Sequence, residues 1–340
     1  MTDASQGGSP KRTGHRRELE HWHPILAADA LRDRPRAVTW QDIDLALFRT
    51  PSGQIGALED ICPHRRMRLS AGHVRGETLV CPYHGFCYQA DGTGRSPNTP
   101  RLRLAARAFE AVERHGAIWV RSKGAATGFP DVEDPSYPAV GVTIRTVSAP
   151  LELVVDNFCE VEHTPTTHDL FGYAGPPLTD VTTEVMRTDT TVRVFNRGPQ
   201  KPLPRAIERL FGIQPGDHFI DDWTVHFSPV HIIYHQYWVD PVSGVRRPNA
   251  LRVAVFFTPI DLDETLIVAF SGAQVQGPRR WLTVATRPLT RWLVARELGL
   301  DVRMLERLAS PDTSLRGMRL GRFDAALGAH RSGIARIYRG

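Results

Sequence analysis

Hydrophobic and polar positions alternate with a period of two over much of the first third of the chain. Ile43, Leu45 and Leu47 alternate with Asp42, Asp44 and Ala46, a turn follows at Pro51-Ser52-Gly53, and residues 55–61 lead the chain back. This pattern predicts a β-hairpin over residues 37–61. Further short strands are predicted at 78–80, 86–89 and 117–121. Together they indicate a small antiparallel β domain over residues 20–122.

From about residue 143 the pattern changes to a mixture of helix and long strand. Hydrophobic residues at 151, 154, 155 and 158 predict a helix that Pro150 begins and Pro165 ends. Antiparallel strands are predicted at 191–196, 222–227, 232–239, 251–258 and 265–270, a helix near 204–211, and a helical pair over 279–308. With residues 122–138 as a linker rich in Gly and Pro, the chain is predicted to be α+β, with a second domain over residues 123–340.

Composition narrows the class of protein. Hydrophobic residues make up 41% and charged residues 23%, as in soluble globular proteins, and no run of hydrophobic residues is long enough for a transmembrane helix. Residues 1–19 are predicted to be a disordered tail and not a signal peptide. Four cysteines in a chain of this length do not make a disulfide scaffold, so a cytoplasmic location is expected.

The net charge of +5 is a mild bias without a nucleic-acid-binding motif. We therefore expect neither a nucleic-acid partner nor a membrane. An acidic redox protein is an equally suitable electrostatic partner.

The residues with the clearest chemistry are two short Cys/His motifs, Cys62-x-His64 and Cys81-x-x-His84, separated by residues 65–80. Two thiolates and two imidazoles form a metal-ligand set. A mononuclear zinc site is one interpretation. Zinc sites usually pair like ligands with two to four residues between them, whereas each motif here mixes Cys with His. A Rieske [2Fe–2S] centre, in which two thiolates hold one iron and two imidazoles the other, fits that mixture better.

The surrounding stretch, residues 61–94, resembles the Rieske signature of the ring-hydroxylating and demethylating oxygenases. The similarity includes Pro63 after the first Cys, Gly85 after the last His, and the turn Asp91-Gly92. The resemblance implies that Cys62, His64, Cys81 and His84 bind a [2Fe–2S] cluster.

A second group of polar residues follows the predicted helix at 151–163. Asn157, Glu160 and His163 are three residues apart, which would place them on one side of a helix, and His168 comes after Pro165. Two histidines with a carboxylate suit a facial two-His one-carboxylate iron site, although packed or surface histidines would give the same letters.

The spacing Asn-x-x-Glu-x-x-His-x-x-x-x-His is similar to the mononuclear iron motif of the same oxygenases. The resemblance implies that His163 and His168 are iron ligands and that Asn157 and Glu160 have catalytic roles. The family usually has Asp in place of Glu160, a carboxylate that bridges the two metal centres. Glu162 is the nearby alternative.

The family places its third iron ligand, an Asp, late in the chain, in a pattern similar to residues 298–306. This similarity favours Asp301, and Asp324 and Glu297 remain rivals.

Taken together, these motifs resemble the oxygenase component of Rieske non-haem iron oxygenases. The resemblance implies a Rieske domain followed by a helix-grip catalytic domain, a [2Fe–2S] cluster, a mononuclear Fe(II), O₂ as co-substrate, and a ferredoxin or flavin-containing reductase as electron donor. The chain is most similar to the homotrimeric branch that includes vanillate O-demethylase and dicamba monooxygenase.

The resemblance favours monooxygenation, by hydroxylation or oxidative demethylation, of an aromatic or other hydrophobic molecule. An arene cis-dihydroxylase and a Rieske-type electron carrier remain alternatives. The sequence does not identify the substrate. His231, Tyr234 and His235 are candidate polar residues of the pocket, although they also suit the solvent side of a strand.

Overall fold

The computed structural model describes residues 18–170, 172–276 and 282–339. Residues 1–17 of the predicted tail therefore lie outside the described residues. Glu18 is buried: its backbone N–H donates to Gln41 Oε1 at 2.8 Å, and Gln41 Nε2 donates back to its carbonyl at 2.6 Å. The folded chain thus begins at least two residues before the predicted domain boundary.

The N-terminal domain consists of two antiparallel sheets. The strands are β1 His23–Ala27, β2 Arg36–Trp40, β3 Ile43–Arg49, β4 Ile55–Glu59, β5 His73–Arg75, β6 Thr78–Val80, β7 Cys87–Tyr88, β8 Thr93–Arg95, β9 Leu104–Ala105, β10 Ala108–Arg114 and β11 Ala117–Ser122. The larger sheet has the order β1-β11-β10-β4-β3-β2, and the smaller has the order β5-β6-β7-β8-β9. The predicted hairpin corresponds to β3 and β4, which pair in register from Leu45–Glu59 to Arg49–Ile55.

The second domain is built on one seven-stranded antiparallel sheet. Its strands are β12 Ala139–Val147, β13 Thr182–Arg187, β14 Thr191–Pro199, β15 His218–Phe227, β16 Val230–Val239, β17 Arg246–Pro259 and β18 Thr265–Gln274, and their order in the sheet is β12-β18-β17-β16-β15-β14-β13. The helices are α1 Leu151–Phe158, α2 Thr164–Thr167, α3 Arg205–Phe211, α4 Leu282–Leu305 and α5 Leu327–Ile334, followed by a π-helical turn at Ala335–Arg339. The five predicted strands are all present, and β12 and β13 were missed.

Alternation along the strands explains how the sheet forms a core. On β15, Phe219, Trp223 and Val225 are buried on one face, and the hydrophobic face of α1 packs in the same cluster through Leu151, Val154 and Val155. The sheet thereby has one face covered by helices, and the metal-binding candidates lie on that side.

Two helical predictions need correction. The predicted helix over 151–163 ends at Phe158, because Cys159 leaves helical geometry at φ −112°, ψ 20°. Pro165 does not end a helix but lies in the first turn of α2, where its missing N–H costs no hydrogen bond. The predicted pair over 279–308 is one 24-residue helix, α4, that continues through Pro288; residues 279–281 lie outside the described residues.

The two domains share a hydrophobic cluster. Trp119 of β11 is fully buried, stacks on Phe270 with ring centroids 5.3 Å apart, and meets the edge of Phe256 at 5.0 Å. The hydroxyl of Thr258 donates to the carbonyl of Pro24 at 3.0 Å across the same boundary. No helix in the described part of the chain is long and apolar enough to cross a membrane.

Candidate metal centres and the adjoining cavity

The first candidate centre is formed by two tight loops of the N-terminal domain. In one, the Cys62 N–H donates to the Met67 carbonyl and the Arg66 N–H donates to the Cys62 carbonyl, both at 2.8 Å. In the other, the Cys81 N–H donates to the Phe86 carbonyl at 2.8 Å, and Gly85 has φ +71°, a conformation that favours glycine. Both loops present a Cys at the start and a His two or three residues later.

The side chains of these loops converge. Cys62 and Cys81 are buried, and the rings of His64 and His84 lie with centroids 4.6 Å apart. Nδ1 of His84 is buried and has no hydrogen-bond partner among the described residues, which is unusual for a buried imidazole nitrogen unless it binds a metal. The arrangement of buried thiols beside a pair of imidazoles fits a cluster with two Cys and two His ligands.

The second candidate centre consists of His163, His168 and Asp301, which α2 and α4 bring together. His163 Nε2 and His168 Nε2 are 3.0 Å apart, and each lies 3.3 Å from Asp301 Oδ1. One nitrogen or oxygen from each residue therefore points toward the same small space. This donor set, two imidazoles and one carboxylate, suits a facial-triad iron site.

Neighbouring polar groups determine which histidine nitrogen faces the triad. His163 Nδ1 is hydrogen-bonded to Glu160 Oε1, and His168 Nδ1 lies 3.3 Å from Glu297 Oε2. A carboxylate accepts hydrogen bonds, so His163 Nδ1 carries a proton and, in the neutral ring, Nε2 keeps its lone pair. His168 Nδ1 makes no hydrogen bond within the described residues, and Glu297 is the acidic group nearest to it. Asn157 Nδ2 donates to Asp301 Oδ1 at 3.0 Å and so fixes the carboxylate as well.

The charges of the triad favour protonated histidines beside an ionised carboxylate. Although burial alone would lower it, the hydrogen bonds and charges of Asp301 and Glu160 raise the pKa of His163 to about 9. Burial opposes ionisation of Asp301 too, but hydrogen bonds from His163 and His168 hold its pKa well below the usual range. A cation bound here would take the place of the protons on Nε2.

The triad opens into an apolar cavity of about 150 Å³. Its walls come from α3, α4 and strands β15 to β17, and include Leu203, Phe211, Trp223, Trp238 and Leu251. An apolar cavity of about 150 Å³ can hold an aromatic ring, and this one places it beside the triad.

The structure separates the rival residues that the sequence left open. Glu297 faces His168 from the side opposite the triad, and Asp324 is not among the converging ligands but accepts a hydrogen bond from the Gly321 N–H at 2.6 Å. Asn157, Glu160 and His163 do come together, but from the end of α1 and the turn after it and not from one helical face. Glu162 has an exposed side chain.

Of the three candidate pocket residues, the structure places one at the cavity. Tyr234 lines it and donates its hydroxyl to the Phe158 carbonyl, whereas His231 and His235 are on the other face of β16. The sequence analysis missed Asp221 and Gln236, which line the cavity. Asp221 is two residues from both Phe219 and Trp223 on β15, so the alternation along this strand could have placed its side chain on the inward face.

Comparisons with known proteins agree with this geometry. Residues 21–109 match the family model of the Rieske [2Fe-2S] domain. The chain is 34% identical over 160 residues to the oxygenase component of dicamba O-demethylase from Stenotrophomonas maltophilia, covering 43% of this chain and 46% of that protein. It is 35% identical over 135 residues to the vanillate O-demethylase oxygenase subunit of Pseudomonas sp. (strain ATCC 19151), covering 36% of this chain and 40% of that protein. The matched stretches thus span less than half the length of these relatives.

The fold extends the likeness to the second domain. A crystal structure of dicamba monooxygenase bound to 3,6-dichlorosalicylic acid superposes with a TM-score of 0.77 at 21% identity, covering 95% of this chain and 98% of that one. The predicted α+β fold class, with an N-terminal Rieske domain, is thereby confirmed. The chain carries a Rieske [2Fe–2S] domain within the fold of dicamba monooxygenase, and it resembles the oxygenase components of Rieske non-haem iron oxygenases.

Proposed function

We propose that the protein is a terminal oxygenase that monooxygenates an aromatic or other hydrophobic small molecule, by hydroxylation or oxidative demethylation. The observation that carries the proposal is the triad of His163, His168 and Asp301 at the wall of an apolar cavity, in a chain that also has a Rieske domain. Relatives whose names specify O-demethylation support the reaction type.

The proposal assigns the two metal groups to separate residues. Cys62, Cys81, His64 and His84 would hold the [2Fe–2S] cluster, and His163, His168 and Asp301 would hold the mononuclear Fe(II). When bound, the cluster supplies single electrons and the ferrous ion supplies open coordination positions for O₂.

The chain's other residues orient these ligands and the substrate. Glu160 accepts a hydrogen bond from the Nδ1–H of His163 and so keeps Nε2 available as a ligand. Asn157 holds one oxygen of Asp301 by its amide. The hydrophobic walls of the cavity exclude water and hold a ring-bearing molecule beside the triad.

A separate ferredoxin or flavin-containing reductase in the cytoplasm is the proposed electron donor. We further propose a homotrimer in which the cluster of one subunit faces the triad of the next, because a head-to-tail interface closes into a ring. Glu160, with its side chain 20% exposed, would then lie at the boundary and also accept a hydrogen bond from the neighbouring His84. Light scattering tests the trimer: a monomer with full activity would remove this arrangement.

The alternative of a Rieske-type electron carrier requires no second metal site. The convergence of three ligand atoms within 4.8 Å of one another favours the oxygenase over it. Arene cis-dihydroxylation uses the same ligand types, and the demethylase names of the relatives favour monooxygenation.

Formaldehyde release provides a test that does not require the substrate to be known in advance. A panel of charged and uncharged methoxyarenes is incubated with the protein, O₂, NADH and a ferredoxin–reductase pair. Oxidative demethylation of any of them releases formaldehyde, and Asp301→Ala should abolish the release. Formation of a cis-dihydrodiol would favour the dihydroxylase alternative. A protein that exchanges electrons but consumes no O₂ with any compound would favour the electron carrier.

A further inference from the structure

We propose that Asp221 makes the cavity selective for uncharged hydrophobic molecules that present a hydroxyl or N–H group to it, and that it excludes molecules bearing a carboxylate. The cavity's role as the substrate site rests on the proposed function. The selectivity follows from the charges and hydrogen bonds of the cavity walls.

Asp221 is held in the wall by its neighbours on the sheet. It lies on the inward face of β15 with only 7% of its surface exposed, and its Oδ1 accepts a hydrogen bond from Gln236 Nε2 at 3.1 Å. Asn196 Nδ2 donates to its backbone carbonyl at 3.3 Å. A carboxylate has lone pairs for several donors, so Asp221 can accept a further hydrogen bond from a ligand.

The described part of the cavity wall contains no Lys or Arg side chain to bind a carboxylate. Its other acidic residues are Glu160, Glu297 and Asp301. The nearby Lys201 directs its Nζ to the backbone carbonyls of Thr164 and His168. A carboxylate ligand would therefore lack the Arg or Lys partner that usually binds it.

The charge balance at the triad leaves Asp221 unmatched. Histidines that bind a ferrous ion through Nε2 are neutral, so its two positive charges would be offset by two of the three acidic residues Asp301, Glu297 and Glu160. Asp221 then remains a negative charge in an apolar wall. A second negative charge brought into this low-dielectric space is repelled more strongly than it would be in water.

The remaining walls favour a ring system. Leu203, Phe211, Trp238 and Leu251 provide apolar surface. Asp221 and Gln236 are the polar groups beside this surface, so the wall suits one hydroxyl or amine on an otherwise hydrophobic molecule.

Binding of three naphthalenes of similar shape tests this selectivity. 2-Naphthol has a hydrogen-bond donor, 2-methoxynaphthalene has none, and 2-naphthoate has a carboxylate. Calorimetric titration of the metal-loaded protein without reductant gives their dissociation constants. The measurement is made at pH 8, above the pKa of about 7 to which burial raises Asp221, so that this carboxyl is ionised. 2-Naphthol should bind at least about tenfold more tightly than 2-naphthoate, with 2-methoxynaphthalene weaker than 2-naphthol.

Two variants assign the effect to Asp221. Asp221→Asn removes the charge and should reduce the preference for 2-naphthol over 2-naphthoate by at least about fivefold. Asp222→Asn is the matched control, because Asp222 is the next residue on the strand, does not line the cavity and forms an ion pair with Arg193 at 2.6 Å. The preference of this variant for 2-naphthol over 2-naphthoate should equal that of the wild type.

Equal binding of the three compounds, tighter binding of 2-naphthoate, or an unchanged preference in Asp221→Asn would overturn the inference. If Asp221→Asn fails to fold, the order of affinities in the wild type decides. The test is separable from the proposed function, since it needs no turnover. Formaldehyde release combined with tightest binding of 2-naphthoate would retain the oxygenase and remove the role of Asp221.

Discussion

At the scale of single residues, the second candidate centre depends on carboxylates that are not themselves part of the triad. Glu160 and Glu297 each face the Nδ1 atom of one histidine, which leaves both Nε2 atoms free to bind the same ion. The sequence indicated Glu160 through a family motif. The similarity to the family pattern at residues 298–306 favoured Asp301 but left Glu297 as a rival, because the two are four residues apart on α4 and so share a helical face.

Replacing Glu160 by Gln should weaken binding of the mononuclear iron without loss of the cluster. Removal of a carboxylate that orients a metal-bound imidazole typically costs about 10- to 100-fold in metal affinity. Iron content is measured after dialysis against a graded series of chelator concentrations. Glu162→Gln, on an exposed neighbour, is the control. Iron retention equal to that of the wild type in Glu160→Gln would show that this carboxylate does not support His163.

At the scale of elements, periodicity predicted the strands more accurately than the segment that carries the histidines. The long strands alternate over many residues, so β15 to β18 were located from their hydrophobic faces. The region after Phe158 is irregular, and its shape depends on hydrogen bonds that the Glu160 carboxylate accepts from the backbone N–H groups of Glu162 and His163. A pattern of hydrophobic residues does not record such bonds, so the helix was predicted too long.

The helix α5 carries a buried histidine that should make stability depend on pH. His330 is 1% exposed, and neither ring nitrogen has a hydrogen-bond partner among the described residues. Burial, with a smaller contribution from Arg187, lowers its pKa from 6.5 to about 4. Because the folded pKa is depressed, the neutral form stabilises the fold above pH 6.5, and this stability is lost as the pH falls toward 4, by about 3 kcal/mol in total.

His330→Leu should therefore flatten the fall in the free energy of unfolding between pH 6.5 and 4. Urea denaturation at a series of pH values measures the slope. His73→Gln, at an exposed histidine of β5, should leave the slope as it is in the wild type. A slope in His330→Leu identical to that of the wild type would show that His330 does not titrate with unfolding.

At the scale of the whole molecule, the two domains are joined through one shared hydrophobic cluster. The sequence predicted two domains and a linker. The residues between β11 and β12 form neither helix nor strand. The sequence did not predict the packing of Trp119 on Phe256 and Phe270, since contacts between distant strands leave no local pattern. The domains should consequently unfold together.

Trp119→Ala should destabilise both domains by about 3–5 kcal/mol, the usual cost of removing a large buried aromatic side chain. Thermal unfolding is followed by circular dichroism for the whole chain and by visible absorbance for the cluster, and the two midpoints should fall together. Trp292→Ala is the matched control, because Trp292 is 59% exposed and its loss should cost less than about 0.5 kcal/mol. A lower midpoint for only one of the two signals would contradict the shared core.

The most direct test of the central claim, that one chain holds two different iron sites, is the content of iron and acid-labile sulfide after anaerobic purification. A Rieske cluster and one mononuclear iron correspond to about three irons and two sulfides per chain, and Asp301→Ala should contain about two of each with an unchanged Rieske absorbance spectrum. Asp324→Ala, in a turn away from the triad, should keep all three irons. Zinc in place of iron with no sulfide, or a full complement of iron in Asp301→Ala, would contradict the account.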